Sequence, residues 1–132
     1  DAIAGNRSAL TIHGTDYPTP DRTCIRDYVH VKDLIAAHLL GLDWLREKRG
    51  NRVFNLGTGT GFSVKEVVTA ARQVTQQNVP MKMGPRRAGD CAMLVSGSSR
   101  AKAELLWSPQ HSCLDEMISD AWAWMQTGAY VR

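Results

Sequence analysis

Val53-Phe54-Asn55-Leu56-Gly57-Thr58-Gly59-Thr60-Gly61-Phe62-Ser63-Val64-Lys65-Glu66 reads as a strand, a glycine-rich turn and the opening of a helix. The apolar run 53–56 is short and bounded by glycine, as a buried strand is. Ser63 stands three residues before Glu66, the capping-box spacing, in which each side chain satisfies a backbone N–H at the other's position. The helix so opened is predicted to run to about Val74. Working outward, Leu10-Thr11-Ile12-His13 alternates and stops at Gly14, a second short strand. Residues 15–23, with Pro18, Pro20 and two aspartates, form a loop, and residues 25–31 are β-branched and aromatic, hence extended. From Asp33 onward Leu34, Ala37, Leu40, Leu42 and Leu45 recur at helical spacing. This helix ends in basic residues 46–49 and Gly50, the order a helix dipole favours at its C-terminus. Met81-Lys82-Met83 is read as a further strand. Ser98 or Ser99 caps a short helix through Leu105. Ser112 precedes a last helix with Leu114, Met117, Ile118, Ala121, Trp122 and Met125 on one face. Strands alternating with helices predict an α/β layered fold.

Composition narrows the function. With 132 residues, 43% hydrophobic and 22% charged, the chain has the make-up of one globular domain with one core. A net charge of +3, spread along the chain, makes no nucleic-acid footprint. No apolar run reaches the roughly 18 residues a membrane helix needs. Cys24, Cys91 and Cys113 are odd in number and widely spaced, so neither a disulfide framework nor a zinc site is expected. Free thiols of this kind point to a reducing cytoplasm. The four histidines lack metal-ligand spacing, and the opening Asp1-Ala2-Ile3-Ala4 is no basic-then-apolar leader, so no targeting signal is expected in this sequence.

Two motifs look like chemistry and are read as decoys. Gly57, Gly59 and Gly61 lie where a dinucleotide-binding turn would lie, but the third glycine of that fingerprint falls at Phe62. Gln77 stands where a ribose-holding acid would be needed. Tyr28 and Lys32 have the spacing of a Tyr-x-x-x-Lys proton-transfer pair, which requires one helical turn between them. In an extended segment they lie about 13 Å apart, too far to couple.

Three segments carry more information: Thr19-Pro20-Asp21-Arg22-Thr23-Cys24-Ile25-Arg26-Asp27-Tyr28-Val29-His30-Val31-Lys32-Asp33-Leu34; Asn55-Leu56-Gly57-Thr58-Gly59 with Gly61-Phe62-Ser63-Val64; and Pro85-Arg86-Arg87-Ala88-Gly89-Asp90 with Leu105-Leu106-Trp107. In this order they resemble the C-terminal part of the UDP-glucose 4-epimerases, extended short-chain dehydrogenases/reductases. The likeness covers almost the whole chain, and Leu114-Asp115-Glu116-Met117 and Asp120-Ala121-Trp122-Ala123-Trp124 match the family's last helix. It implies that residues 1–132 form a single, incomplete UDP-sugar-binding region, the substrate-binding part of an extended Rossmann-type fold whose N-terminal half is absent. It further implies a cytoplasmic enzyme, a homodimer when full-length. NAD would be held by the missing half, along with the catalytic Tyr and Lys. This chain would then carry no catalytic, cofactor or metal residue and be inactive alone. A related UDP-sugar epimerase or dehydratase, or a weak nucleotide-sugar-binding module without catalysis, are the alternatives.

Site residues follow the same resemblance. An arginine presents a planar fork that matches phosphate oxygens, so Arg26 and Arg87 from separate loops are expected to clamp the diphosphate. Asp90 is expected to accept from ribose hydroxyls. Thr11 and His13 lie on the strand whose backbone reads the uracil edge, and Leu94 lines the sugar pocket. Two departures stand out, Arg22 and Gln76, each where relatives usually have glycine. If Arg22 must adopt a positive φ, it is strained there. Gln76 is expected to reshape the turn after its helix. The strand 53–56 is expected to lose its sheet neighbours and leave the isolated chain marginal or prone to associate.

Overall fold

The computed structural model describes residues 1–128. Its elements are short: β1 (Leu10–His13), β2 (Ile25–Arg26), α1 (Val31–Arg46), β3 (Phe62–Ser63), α2 (Val64–Thr75), β4 (Met81–Gly84), β5 (Met93–Leu94), α3 (Ser99–Glu104) and α4 (Leu114–Gln126). This is the α/β arrangement expected. β1 pairs in parallel with β4, Leu10 opposite Met81 and His13 opposite Gly84. In a second sheet β2 is central, antiparallel to β3 and parallel to β5, with Arg26 opposite Leu94.

Ser63 caps α2 as its sequence requires: its Oγ accepts from the Glu66 N–H at 3.1 Å, and the Glu66 carboxylate accepts from the Ser63 N–H at 2.6 Å. The helix ends at Gln76, which takes the left-handed conformation itself, φ 54°. Arg22 is likewise left-handed, φ 67°. α1 begins two residues earlier than the sequence indicated. Val31 is its first residue, because the His30 ring accepts the Lys32 N–H at 3.0 Å and supplies the N-cap. The extended segment therefore stops before Val31. Ser98 does precede α3, and Ser112 lies just before the Cys113 that caps α4, but neither helix receives a side-chain cap bond.

The strand expected over residues 53–56 is absent: they form no regular secondary structure and join no ladder among the described residues. Leu42 and Leu45 do not face the core: α1 buries Asp33 and Ala37 on one side, while Val31, Ile35, Leu39, Leu42 and Leu45 form an exposed stripe on another. Nor is the interior a single cluster. Ala37, Ala101, Leu105 and Trp107 are buried together, with Val29, Leu40, Trp44, Phe54 and Leu56 packed on them. Ile12, Val68 and Val79 form a second group, under Ile3, Val64 and Ala71. Asp33 ties the first together. Its carboxylate accepts the N–H groups of Gln110 and His111, both at 2.9 Å, and its carbonyl accepts the Trp107 indole N–H.

Candidate functional site

The site grows from β2. Its two residues place Arg26 beside Leu94 on β5, and the loop entering β5 carries Arg87 and Asp90. Arg26 is fixed by its own Nη1, which donates to the carbonyls of Ile25 (2.8 Å) and Cys91 (3.0 Å). Its Nη2 lies 3.6 Å from Asp90 Oδ1, and Arg87 Nε donates to Asp90 Oδ2 at 2.9 Å. The two guanidinium groups therefore converge on one carboxylate. Arg26 pairs with Asp90 rather than with its neighbour Asp27.

Two hollows flank this triad. Thr11, His13, Tyr28, Cys24 and Arg87 line one of about 250 Å³. Arg26, Leu94, Asp27, Asn55 and Ser96 line another of about 480 Å³. Five of the six expected site residues thus line two hollows, and Asp90 links the arginines of both. Leu94 stands 61% exposed, open to any group entering the second hollow. Gly84 matters to the first: a Cβ there would come within 2.9 Å of the Thr11 methyl. His13 Nδ1 lies 3.2 Å from the Pro85 carbonyl, which anchors its ring at the base of the Arg87 loop.

Sequence reasoning gave no role to Asp27. Its carboxylate accepts four hydrogen bonds, from Thr58 Oγ1 (2.6 Å) and the N–H groups of Thr58 (3.0 Å), Gly59 (3.1 Å) and Ser96 (3.2 Å). Burial alone would raise its pKa, but these donors outweigh it and hold the carboxyl below the ordinary aspartate value. Gly57 is obligatory here, since a Cβ would lie 2.6 Å from Asp27 Oδ2 and 2.8 Å from the Ser96 carbonyl. The signal was the Arg-Asp-Tyr triplet, but the partners lie some 30 and 70 residues away.

The same contacts dispose of the dinucleotide reading. The N–H groups of Thr58 and Gly59 are engaged by Asp27 and that of Thr60 by the Thr58 hydroxyl, so this turn does not offer them to a pyrophosphate. Burial, and then the nearby Cys24, push the Tyr28 pKa up despite the opposing Arg26, the opposite of the lowering a proton-transfer tyrosine needs. Lys32 points elsewhere, donating to Asp120 at 2.7 Å. Tyr28 nevertheless lines the first hollow, a position its decoy spacing concealed.

The sequence profile of the NAD dependent epimerase/dehydratase family matches residues 3–57. In its α/β architecture the chain is similar to part of the Rossmann-type UDP-glucose epimerases. More particularly, its sequence and structure resemble those of the UDP-glucose 4-epimerases. The UDP-glucose 4-epimerase of Corynebacterium glutamicum is 48% identical over 119 residues, covering 90% of this chain and 36% of its own length. The human UDP-glucose 4-epimerase is 43% identical over 122 residues, 92% of this chain and 35% of its own. A crystal structure of the Stenotrophomonas maltophila enzyme with bound NAD and formylated UDP-arabinopyranose matches at a TM-score of 0.91 and 40% identity. It covers 99% of this chain and 39% of that one. The Bifidobacterium longum enzyme in complex with NAD+ and UDP matches at 0.85 and 34%, covering 96% of this chain and 37% of that one. The chain spans a little over a third of the length of these relatives.

Proposed function

We propose that this chain is the UDP-sugar-holding segment of a UDP-glucose 4-epimerase, the enzyme that interconverts UDP-glucose and UDP-galactose through a 4-keto sugar. One observation carries the reading: Arg26 on β2 and Arg87 on the loop before β5 meet at Asp90 between two hollows. In that arrangement the diphosphate bridges the two guanidinium forks, and charge-assisted hydrogen bonds hold it. The uracil lies in the hollow lined by Thr11 and His13, with the β1 backbone reading its edge. The hexose lies against Leu94, where a large side chain leaves little room for an N-acetyl group. Asp90 accepts from the ribose hydroxyls. Binding and orientation are this chain's part, and they set where the sugar's C4 sits. NAD supplies hydride exchange when bound to the complete enzyme; the segment is proposed to hold no NAD and to be inactive alone. The complete enzyme is proposed to be a cytoplasmic homodimer, with residues 1–132 as one unit of it.

Titrating UDP while following tryptophan fluorescence tests the clamp. Arg87→Ala is expected to weaken UDP binding by about tenfold or more, the usual scale for losing a charge-assisted contact. Arg87→Lys recovers only part of it, because an ammonium cannot form the fork. Equal affinities for the wild type and Arg87→Ala would remove the assignment.

A further inference from the structure

We propose that Asp90 acts as a built-in counter-ion that reserves the arginine pair for diphosphates carrying a ribose. The inference rests on the nucleotide-binding reading above and adds a selectivity mechanism to it. One carboxylate occupies both guanidinium groups, 2.9 Å from Arg87 Nε and 3.6 Å from Arg26 Nη2. The Asp90 and Arg26 side chains are only 21% and 22% exposed, so water screens this cluster less than it screens a surface pair. An anion approaching the arginines therefore meets a negative charge already in place.

Inorganic phosphate and pyrophosphate offer Asp90 one P–OH donor at most, where a ribose offers two hydroxyls. Near pH 8 their oxygens are overwhelmingly acceptors, and the displaced carboxylate is left beside them with like charge. A nucleoside diphosphate brings both partners. Its phosphate oxygens replace the carboxylate at the arginines, and its two ribose hydroxyls replace the arginines at the carboxylate. Only a ligand with donors and acceptors at this separation completes the exchange without leaving a half-buried charge unpaired. Arg26 stays in place throughout, held by the Ile25 and Cys91 carbonyls. Arg87, with its side chain 62% exposed, turns with the ligand. The selectivity is thus built by an unfavourable contact against the wrong anion as much as by a favourable one toward the right one.

Calorimetric titration of the chain with pyrophosphate and with UDP, at pH 8 and constant ionic strength, tests this in the wild type, Asp90→Asn, Asp90→Ala and Asp90→Glu. Pyrophosphate is expected to bind Asp90→Asn and Asp90→Ala about tenfold more tightly than the wild type. UDP's advantage over pyrophosphate shrinks by at least that factor. Asp90→Glu, which keeps the charge, leaves pyrophosphate as weak as in the wild type. Thermal melting accompanies each titration, and a variant that merely unfolds weakens both ligands together. Pyrophosphate affinity unchanged or reduced in the charge-neutral variants overturns the counter-ion role, as does tighter pyrophosphate binding to Asp90→Glu. The two readings fail separately. If UDP binds and Arg87→Ala weakens it while pyrophosphate ignores Asp90, only the counter-ion role is lost. If UDP does not bind the wild type, the nucleotide site itself is lost.

Discussion

Arg22, Lys48, Gln76 and Leu106 all adopt positive φ, between 53° and 67°, a region in which a side chain crowds its own backbone. Gln76 is the C-cap of α2, where glycine is the usual solution. Leu106 sits between buried Leu105 and Trp107 and is itself 81% exposed, so its side chain gives nothing back for the strain. Gln76→Gly and Leu106→Gly are each expected to stabilise the chain by about 1 kcal/mol, raising the melting temperature by roughly 4 °C. A melting temperature unchanged or lowered in both would mean the strain is not there. Asp27 is the opposite case, a residue whose surroundings were built for it. Asp27→Ala leaves three backbone N–H groups without their acceptor and is expected to cost about 2–3 kcal/mol in denaturant unfolding. The pH dependence follows from the lowered carboxyl. An unfolded aspartate titrates near about 3.9, so the stabilisation is complete above that value and is lost as pH falls through the lower folded pKa. Asp27→Asn should flatten the stability profile below about pH 4; a slope as steep as the wild type's would assign the acid sensitivity to other carboxylates.

At the scale of elements, α2 is the best specified. Its Ser63 is 4% exposed, receives the Glu66 N–H and donates to Asp21. Asp21 in turn accepts from Thr23 N (2.8 Å) and Oγ1 (2.7 Å), which fastens the loop before β2 to the start of α2. Burial raises the Asp21 carboxyl, but these donors and Lys65 outweigh it and keep it low. Ser63→Ala therefore removes a cap and a loop tether at once. A loss of about 2 kcal/mol is expected in urea unfolding, where an isolated cap would cost about 1; a loss no larger than that of the cap alone would show that the tether contributes nothing. α1 shows how far periodicity reaches. Its apolar residues fall on two faces, and spacing alone establishes a helix without telling which face finds a neighbour. Residues 53–56 teach the same lesson, since their pattern marks a strand and a strand needs a partner to form a ladder.

For the whole molecule, two small buried clusters and an open apolar stripe describe a chain with much of its apolar surface still facing water. Val31, Ile35, Leu39 and Leu45 are each more than half exposed, and Val53 is 76% exposed on the unpaired segment. Contiguous apolar surface of this kind drives association. Size-exclusion chromatography with light scattering is expected to give a mass that rises with concentration, and Ile35→Lys combined with Leu39→Lys should lower it. A concentration-independent monomer melting well above about 65 °C would contradict this. No helix among the described residues is long and apolar enough to cross a membrane.

The amino-acid sequence by itself determined what depends on neighbours within a turn or two. The capping box of α2, the alternation of β1, the dipole-matched end of α1 and the apolar face of α4 are local devices. The rejection of Gly57-Thr58-Gly59-Thr60-Gly61 and of Tyr28 with Lys32 as cofactor chemistry was also legible, because the glycines miss the fingerprint spacing and the tyrosine stands in an extended segment rather than one helical turn from the lysine. Arg26, Arg87 and Asp90 were nameable only through resemblance. Tertiary structure alone decided that they meet, that Asp27 rather than a phosphate holds the glycine loop, and which face of α1 is covered. Those outcomes rest on contacts between residues tens of positions apart, whose hydrogen bonds and desolvation exist only once the chain has closed upon itself.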